Sequence, residues 1–136
     1  MNDFSLKIVT PDGVQFDGMA QELIVRTTTG DLGVLAGHIN CVAPLGMGMA
    51  TVMTEGQKRY GACIGGMVSV LNGQVKLVPT TFEWADAIDL DRAQKAFDRA
   101  QNILSGKDAT DLDIRMAEAR LKRALIRKSV ASNYRR

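Results

Sequence analysis

Glycine and proline all but stop at residue 86. Twelve of the thirteen glycines and all three prolines of this 136-residue chain lie in residues 1–86, and only Gly106 follows. These residues punctuate short strands and turns and interrupt helices, so two differently built parts share the chain. Charge changes at the same place. Up to residue 86 there are 5 Lys and Arg against 8 Asp and Glu, and beyond it 12 against 7. The overall net charge of +2 therefore hides an acidic first part and a basic tail.

At this length the chain holds one compact domain, or a small domain with an appendage, and no large multi-domain enzyme. A hydrophobic share of 46% with 24% charged residues excludes disorder and fibrous architectures. The uncharged stretch Leu32 to Thr54 contains Gly33, Gly37, His38, Asn40, Pro44, Gly46 and Gly48. Those residues are incompatible with the apolar helix a bilayer requires. The start Met1-Asn2-Asp3-Phe4 lacks the basic and apolar regions of a secretion signal, so the chain is expected to stay where it is made. Cys41, Cys63 and the single His38 supply no metal ligand set, and the cysteines are expected to be buried reduced thiols.

Residues 1–86 read as strands. Phe4, Leu6 and Ile8 alternate with polar residues up to the turn Thr10-Pro11-Asp12-Gly13, after which Val14 and Phe16 resume the alternation. Further strands are expected at 22–27, 47–53, 58–64, 67–71 and 74–78, with Asn72-Gly73 as a two-residue hairpin loop. Their number and spacing predict an antiparallel sandwich or barrel. From Asp86 the period becomes helical. Leu90, Ala93, Phe97, Ala100 and Leu104 form one stripe behind the N-cap Asp89, and Ile114, Ala117, Leu121 and Leu125 form a second behind Thr110 or Asp111. The stripes predict an antiparallel helical hairpin over 87–136, and the fold class is α+β. Its alanine contacts bury little area, so at about 25 cal/mol per Å² the hairpin is expected to be loosely held and able to move.

No catalytic constellation emerges. Ser105-Gly106-Lys107 lacks the rest of a phosphate loop, and His38 has no nucleophile beside it. Two features carry more. Arg92 sits in the first turn of a helix, where the macrodipole disfavours a cation; either an Asp89–Arg92 pair or a bound anion offsets that cost. Between Arg115 and Arg136 there are eight Lys or Arg and one acid, Glu118, with Arg120, Arg123 and Arg127 on one face. That stripe is either a solvated face or a site for nucleic acid, an acidic protein surface or a polyphosphate. The acidic first part and the absence of interleaved aromatics disfavour nucleic acid.

In order along the chain, Val9-Thr10-Pro11-Asp12-Gly13, Gly30 to His38, Gly65-Gly66, Ile88-Asp89-x-x-Arg92-Ala93 and Leu121-Lys122-Arg123-Ala124 resemble the epsilon-subunit family of bacterial F-type rotary ATP synthases. Chloroplast epsilon and mitochondrial delta are relatives. Asp31 stands where the family usually has Glu, and Ala36 where it often has Pro. The resemblance implies a β-sandwich over 1–86 that docks on the gamma subunit and the c-ring, with Asp31 and His38 at the ring-facing edge. It implies a non-catalytic regulatory subunit, peripheral at the cytoplasmic face of a bacterial plasma membrane. It also implies a hairpin that either lies folded or extends into the catalytic hexamer. There Arg115, Arg120, Lys122, Arg123, Arg127 and Lys128 meet an acidic segment of the beta subunit and restrain ATP hydrolysis. In members that bind ATP as a regulatory ligand, the matching residues here are Glu83, Ile88, Asp89, Arg92, Ala93, Arg99, Arg123 and Arg127. Glu83 and Asp89 then fall near adenine or ribose and the arginines on the phosphates, and Trp84 is expected to sense the ligand. The competing readings are a stand-alone ATP-binding sensor and a basic-tailed nucleic-acid-binding protein.

Overall fold

The computed structural model of the chain describes residues 2–134. Arg135 and Arg136, the last of the basic tail, lie outside the described residues. Contacts divide the chain into two units, 1–84 and 85–136. The boundary falls two residues before the one read from composition, because pairing of the last strand ends at Trp84↔Gly61 and the 3-10 turn Ala85–Ala87 already contacts the second helix.

The first unit is a sandwich of two five-stranded sheets. One sheet has the order β2-β1-β9-β8-β5 and the other β10-β7-β6-β3-β4. The strands are β1 Phe4–Thr10, β2 Gly13–Ala20, β3 Glu22–Thr27, β4 Gly30–Val34, β5 Cys41–Pro44, β6 Met47–Thr54, β7 Gln57–Ile64, β8 Met67–Leu71, β9 Gln74–Val78 and β10 Thr81–Trp84. Every pairing is antiparallel except β1 with β9, which is parallel from Ser5↔Gln74 to Ile8↔Leu77. These two strands are far apart in the chain, so no hairpin dictates their direction. Alternation places Leu6, Ile8, Val75, Leu77, Val68 and Val70 of one sheet against Leu23, Val25, Ala50, Val52, Cys63 and Phe82 of the other, in one buried core. Burial pushes the Cys63 thiol up to about 12, since a thiolate is poorly solvated there.

Three strands change sheets at one corner. β5 continues into β6 through Leu45-Gly46, β7 into β8 through Gly65-Gly66, and β9 into β10 through Pro79-Thr80. The corner is tied by Leu45 N–H to Gly66 O at 2.8 Å, Gly65 N–H to Gly46 O at 3.0 Å and Thr80 N–H to Ile64 O at 3.1 Å. Gly66 has φ +92°, and a Cβ there would run into the carbonyl oxygen of Val78. Only glycine fits.

The second unit is a helical hairpin, α1 Leu90–Ser105 and α2 Asp111–Tyr134. Asp89 caps α1, its carboxylate accepting from Arg92 N at 3.0 Å. Thr110 caps α2 by accepting from Asp113 N at 3.1 Å, while Asp113 accepts from Thr110 N at 3.2 Å.

Candidate functional site

The two helices meet through alanines seven residues apart. Ala93 and Ala100 on α1, with Ala117, Ala124 and Ala131 on α2, are 0–3% exposed. The expected stripes lie partly to one side of this seam. Phe97, Leu104, Ile114 and Leu121 are half-buried, whereas Leu90 and Leu125 are exposed, Leu125 by 51%. Small side chains let the backbones approach, so larger residues end up flanking the contact instead of filling it.

The seam defines two flanks. A residue four positions after a seam alanine is rotated by about 40° to one side, and the residue just before an alanine by about 100° to the other. In an antiparallel pair these senses place corresponding positions of both helices on the same flank. One contact fixes the first flank: Phe97, four after Ala93, lies 4.2 Å beneath the ammonium of Lys128, four after Ala124. The opposite flank therefore carries Arg92, Arg99 and Arg123, each preceding a seam alanine, together with Arg120 and Arg127, each three after one. Arg92, Arg99, Arg120 and Arg123 are exposed and Arg127 is half-buried. At the turn end of this flank an open depression of about 620 Å³ is lined by Ile103, Met116, Lys107, Arg120, Asp108 and Asp113.

Asp89 spends its carboxylate on the Arg92 backbone N–H, and the Arg92 guanidinium makes no ion pair among the described residues. The Asp89–Arg92 side-chain pair is thus not formed, and the helix start is offset by the Asp89 cap and by Asp91 in the first turn. Ile88 is 2% and Ala93 0% exposed, so these two shape the start of α1 and the seam and present no side chain to a ligand. Glu83 belongs to the other unit, on β10 opposite Ala62, half-buried. Its neighbour Trp84 points to the opposite face of the strand. There the indole donates to Gln15 O at 3.1 Å, stands edge-on to Phe82 with centroids 4.8 Å apart, and lies 3.8 Å from the Arg59 guanidinium. Trp84 is therefore a core anchor.

The six basic residues expected to meet a partner are not gathered on one face. Arg120, Arg123 and Arg127 share the arginine flank, Lys128 is parked over Phe97, and Arg115 and Lys122 lie two before a seam alanine and face away from the seam. In the sandwich, Asp31 pairs with Arg26 at 2.9 Å across the β3–β4 hairpin, with both side chains more than half exposed. The half-buried His38 holds the Ile39 carbonyl at 2.8 Å through Nδ1, and Leu35, Ile39 and Val42 around it are 58–77% exposed.

Sequence reasoning missed one surface. Across the outer side of the first sheet, the pairings Pro44↔Met67, Met67↔Val78 and Val9↔Val14, with Val9 following Ile8 beside Val78, lay out one apolar row spanning all five strands. Val14, Met67 and Val78 are 56%, 43% and 43% exposed. Met19, Val42 and Leu71, opposite Ser5, Ser69 and Gln74 on the same face, are 54–67% exposed and add to its apolar character. Its residues are scattered over the sequence, so only the register reveals it.

Residues 3–85 match the family model of the ATP synthase delta/epsilon chain beta-sandwich domain, and residues 86–132 that of the delta/epsilon chain long alpha-helix domain. The chain belongs to the ATP synthase delta/epsilon chain family. Among its family relatives, the ATP synthase epsilon chain of Bacillus velezensis is 41% identical over 133 residues, covering 98% of this chain and 100% of the relative. That of Bacillus pumilus is 39% identical over 131 residues, covering 96% and 98%. The delta/epsilon fold recurs in the cryo-EM structure of the Euglena gracilis mitochondrial ATP synthase OSCP/F1/c-ring assembly. The match has a TM-score of 0.77 at 24% identity and covers 88% of this chain and 76% of that one.

Proposed function

We propose that this chain is the epsilon subunit of an F-type ATP synthase central stalk, non-catalytic in itself. In this reading the sandwich docks on the gamma subunit and the c-ring, at the cytoplasmic face of the membrane. The hairpin acts as a brake on ATP hydrolysis that reaches the beta subunits when extended and is held folded by ATP. The observation that carries the regulatory part is the arginine flank. Arg92, Arg99, Arg120 and Arg123, all exposed on one side of a small-residue seam, repel one another, and a polyphosphate lying along them would relieve that repulsion and bridge both helices. Asp89, whose carboxylate already accepts from the Arg92 N–H, lies at the start of α1 beside that flank. ATP then favours the folded hairpin only because it binds that arrangement more tightly than the extended one. Released from Phe97 on extension, Lys128 joins the other basic residues toward an acidic partner.

The apolar row supports docking and speaks against a stand-alone sensor, which has no use for a band exposed across five strands. Reconstitution tests this function. Adding the chain to ATP synthase stripped of its epsilon subunit is expected to lower ATP hydrolysis, with relief at raised ATP. Met67→Glu is expected to abolish rebinding without changing the fold. Full rebinding of Met67→Glu, or hydrolysis indifferent to the chain, contradicts this assignment.

A further inference from the structure

The β8–β9 hairpin turns on Asn72-Gly73, with φ +51° and +81°. Of the five asparagines in the chain, Asn72 alone is followed by glycine. That pairing suits a two-residue turn, and it is also the dipeptide in which an asparagine side chain is most open to attack by the next backbone nitrogen. Here the side chain is held. Asn40 Nδ2 donates to Asn72 Oδ1 at 3.2 Å, and Asn72 N–H donates to Asn40 Oδ1 at 2.8 Å. Asn40 ends the segment that contains Leu35 and Ile39, and this two-bond clamp joins that end to the β8–β9 turn.

We propose that Asn72 is a deamidation site built into this chain and that Asn40 sets its rate. In the reaction, hydroxide removes the Gly73 backbone N–H proton and the nitrogen attacks Asn72 Cγ. The Cγ–Nδ2 bond breaks, and ammonia leaves with a proton from water. Water then opens the cyclic imide to aspartate or, with the main chain rerouted through Cβ and Cγ, to isoaspartate. No oxidant or cofactor is needed. For the nitrogen to reach Cγ, the side chain must rotate out of the bond from Asn40 and the turn must leave its left-handed conformation. The clamp opposes both motions. Isoaspartate adds a methylene to the main chain and a negative charge, and it breaks the link between Asn40 and the β8–β9 turn.

The test is incubation of the full-length chain at mildly alkaline pH, followed by peptide mass spectrometry that resolves asparagine, aspartate and isoaspartate. Product is expected at residue 72 before any other asparagine, more slowly when folded than in denaturant. Asn40→Ala removes both bonds and is expected to raise the folded-state rate at least about fivefold, the factor one neutral hydrogen bond is worth. Asn40→Asp keeps the acceptor for the Asn72 N–H and loses only the donor to Oδ1, so it is expected to accelerate the reaction even if Asn40→Ala loosens the fold. Absence of product at residue 72, or rates unchanged in Asn40→Asp, overturns the proposal.

Discussion

Gly66 is the residue on which the sandwich corner depends most. Its positive φ and the nearby Val78 carbonyl leave no room for a Cβ, so Gly66→Ala must open the crossing of three strands. A cost on the order of 3 kcal/mol is expected in chemical denaturation. Gly73 also has a positive φ, but a Cβ there would meet nothing within 4 Å, so Gly73→Ala costs less. The cysteines divide in the same local way. Burial raises the Cys63 pKa to about 12, so the reactive thiolate is scarce at neutral pH, while Cys41 is only half-buried. Alkylation at neutral pH is expected to modify Cys41 in the native protein and Cys63 only after unfolding. Because the folded pKa exceeds the unfolded value of 9.0, the unfolded chain loses its proton first, and the Cys63 contribution declines from about pH 9 toward 12.

At the scale of elements, the hairpin is organised by its alanines. Ala124→Leu at the seam leaves helix propensity nearly unchanged and forces the helices apart. It is expected to lower hairpin stability by about 2 kcal/mol and to speed amide exchange in α1, with the sandwich unaffected. Slow exchange retained in α1 would contradict a close-packed seam. The capping residues and helix starts were legible in the sequence because Asp89 and Thr110 act on their own neighbours. The flanks were not. Leu125 reads as part of an apolar stripe but is 51% exposed, because a seam as narrow as alanine holds only one position per two turns. Likewise β4, β5 and β10 are short edge or near-edge strands whose existence is fixed by partners such as Val25↔Leu32, Ala43↔Val68 and Phe82↔Cys63, not by their own alternation.

Over the whole molecule, the division of glycine, proline and charge at residue 86 anticipated two units, and the described structure divides at residue 84. The sandwich and hairpin were legible because each follows a local period. The arginine flank was only half legible: Arg120, Arg123 and Arg127 share a face by spacing, but bringing Arg92 and Arg99 to the same side requires the antiparallel register that the Phe97–Lys128 contact fixes. The apolar row requires five strands in register and left no mark in the sequence. Trp84, adjacent to Glu83 in sequence, has its indole turned by the pleat into the sandwich core. The most direct test of the regulatory account is calorimetric titration of the full chain with ATP and ADP, alongside Arg92→Ala, Arg99→Ala and Arg123→Ala. The account predicts one ATP per chain, weaker binding of ADP, and about a tenfold loss or more for each arginine removed. No binding at millimolar ATP, or affinity indifferent to all three substitutions, would contradict it.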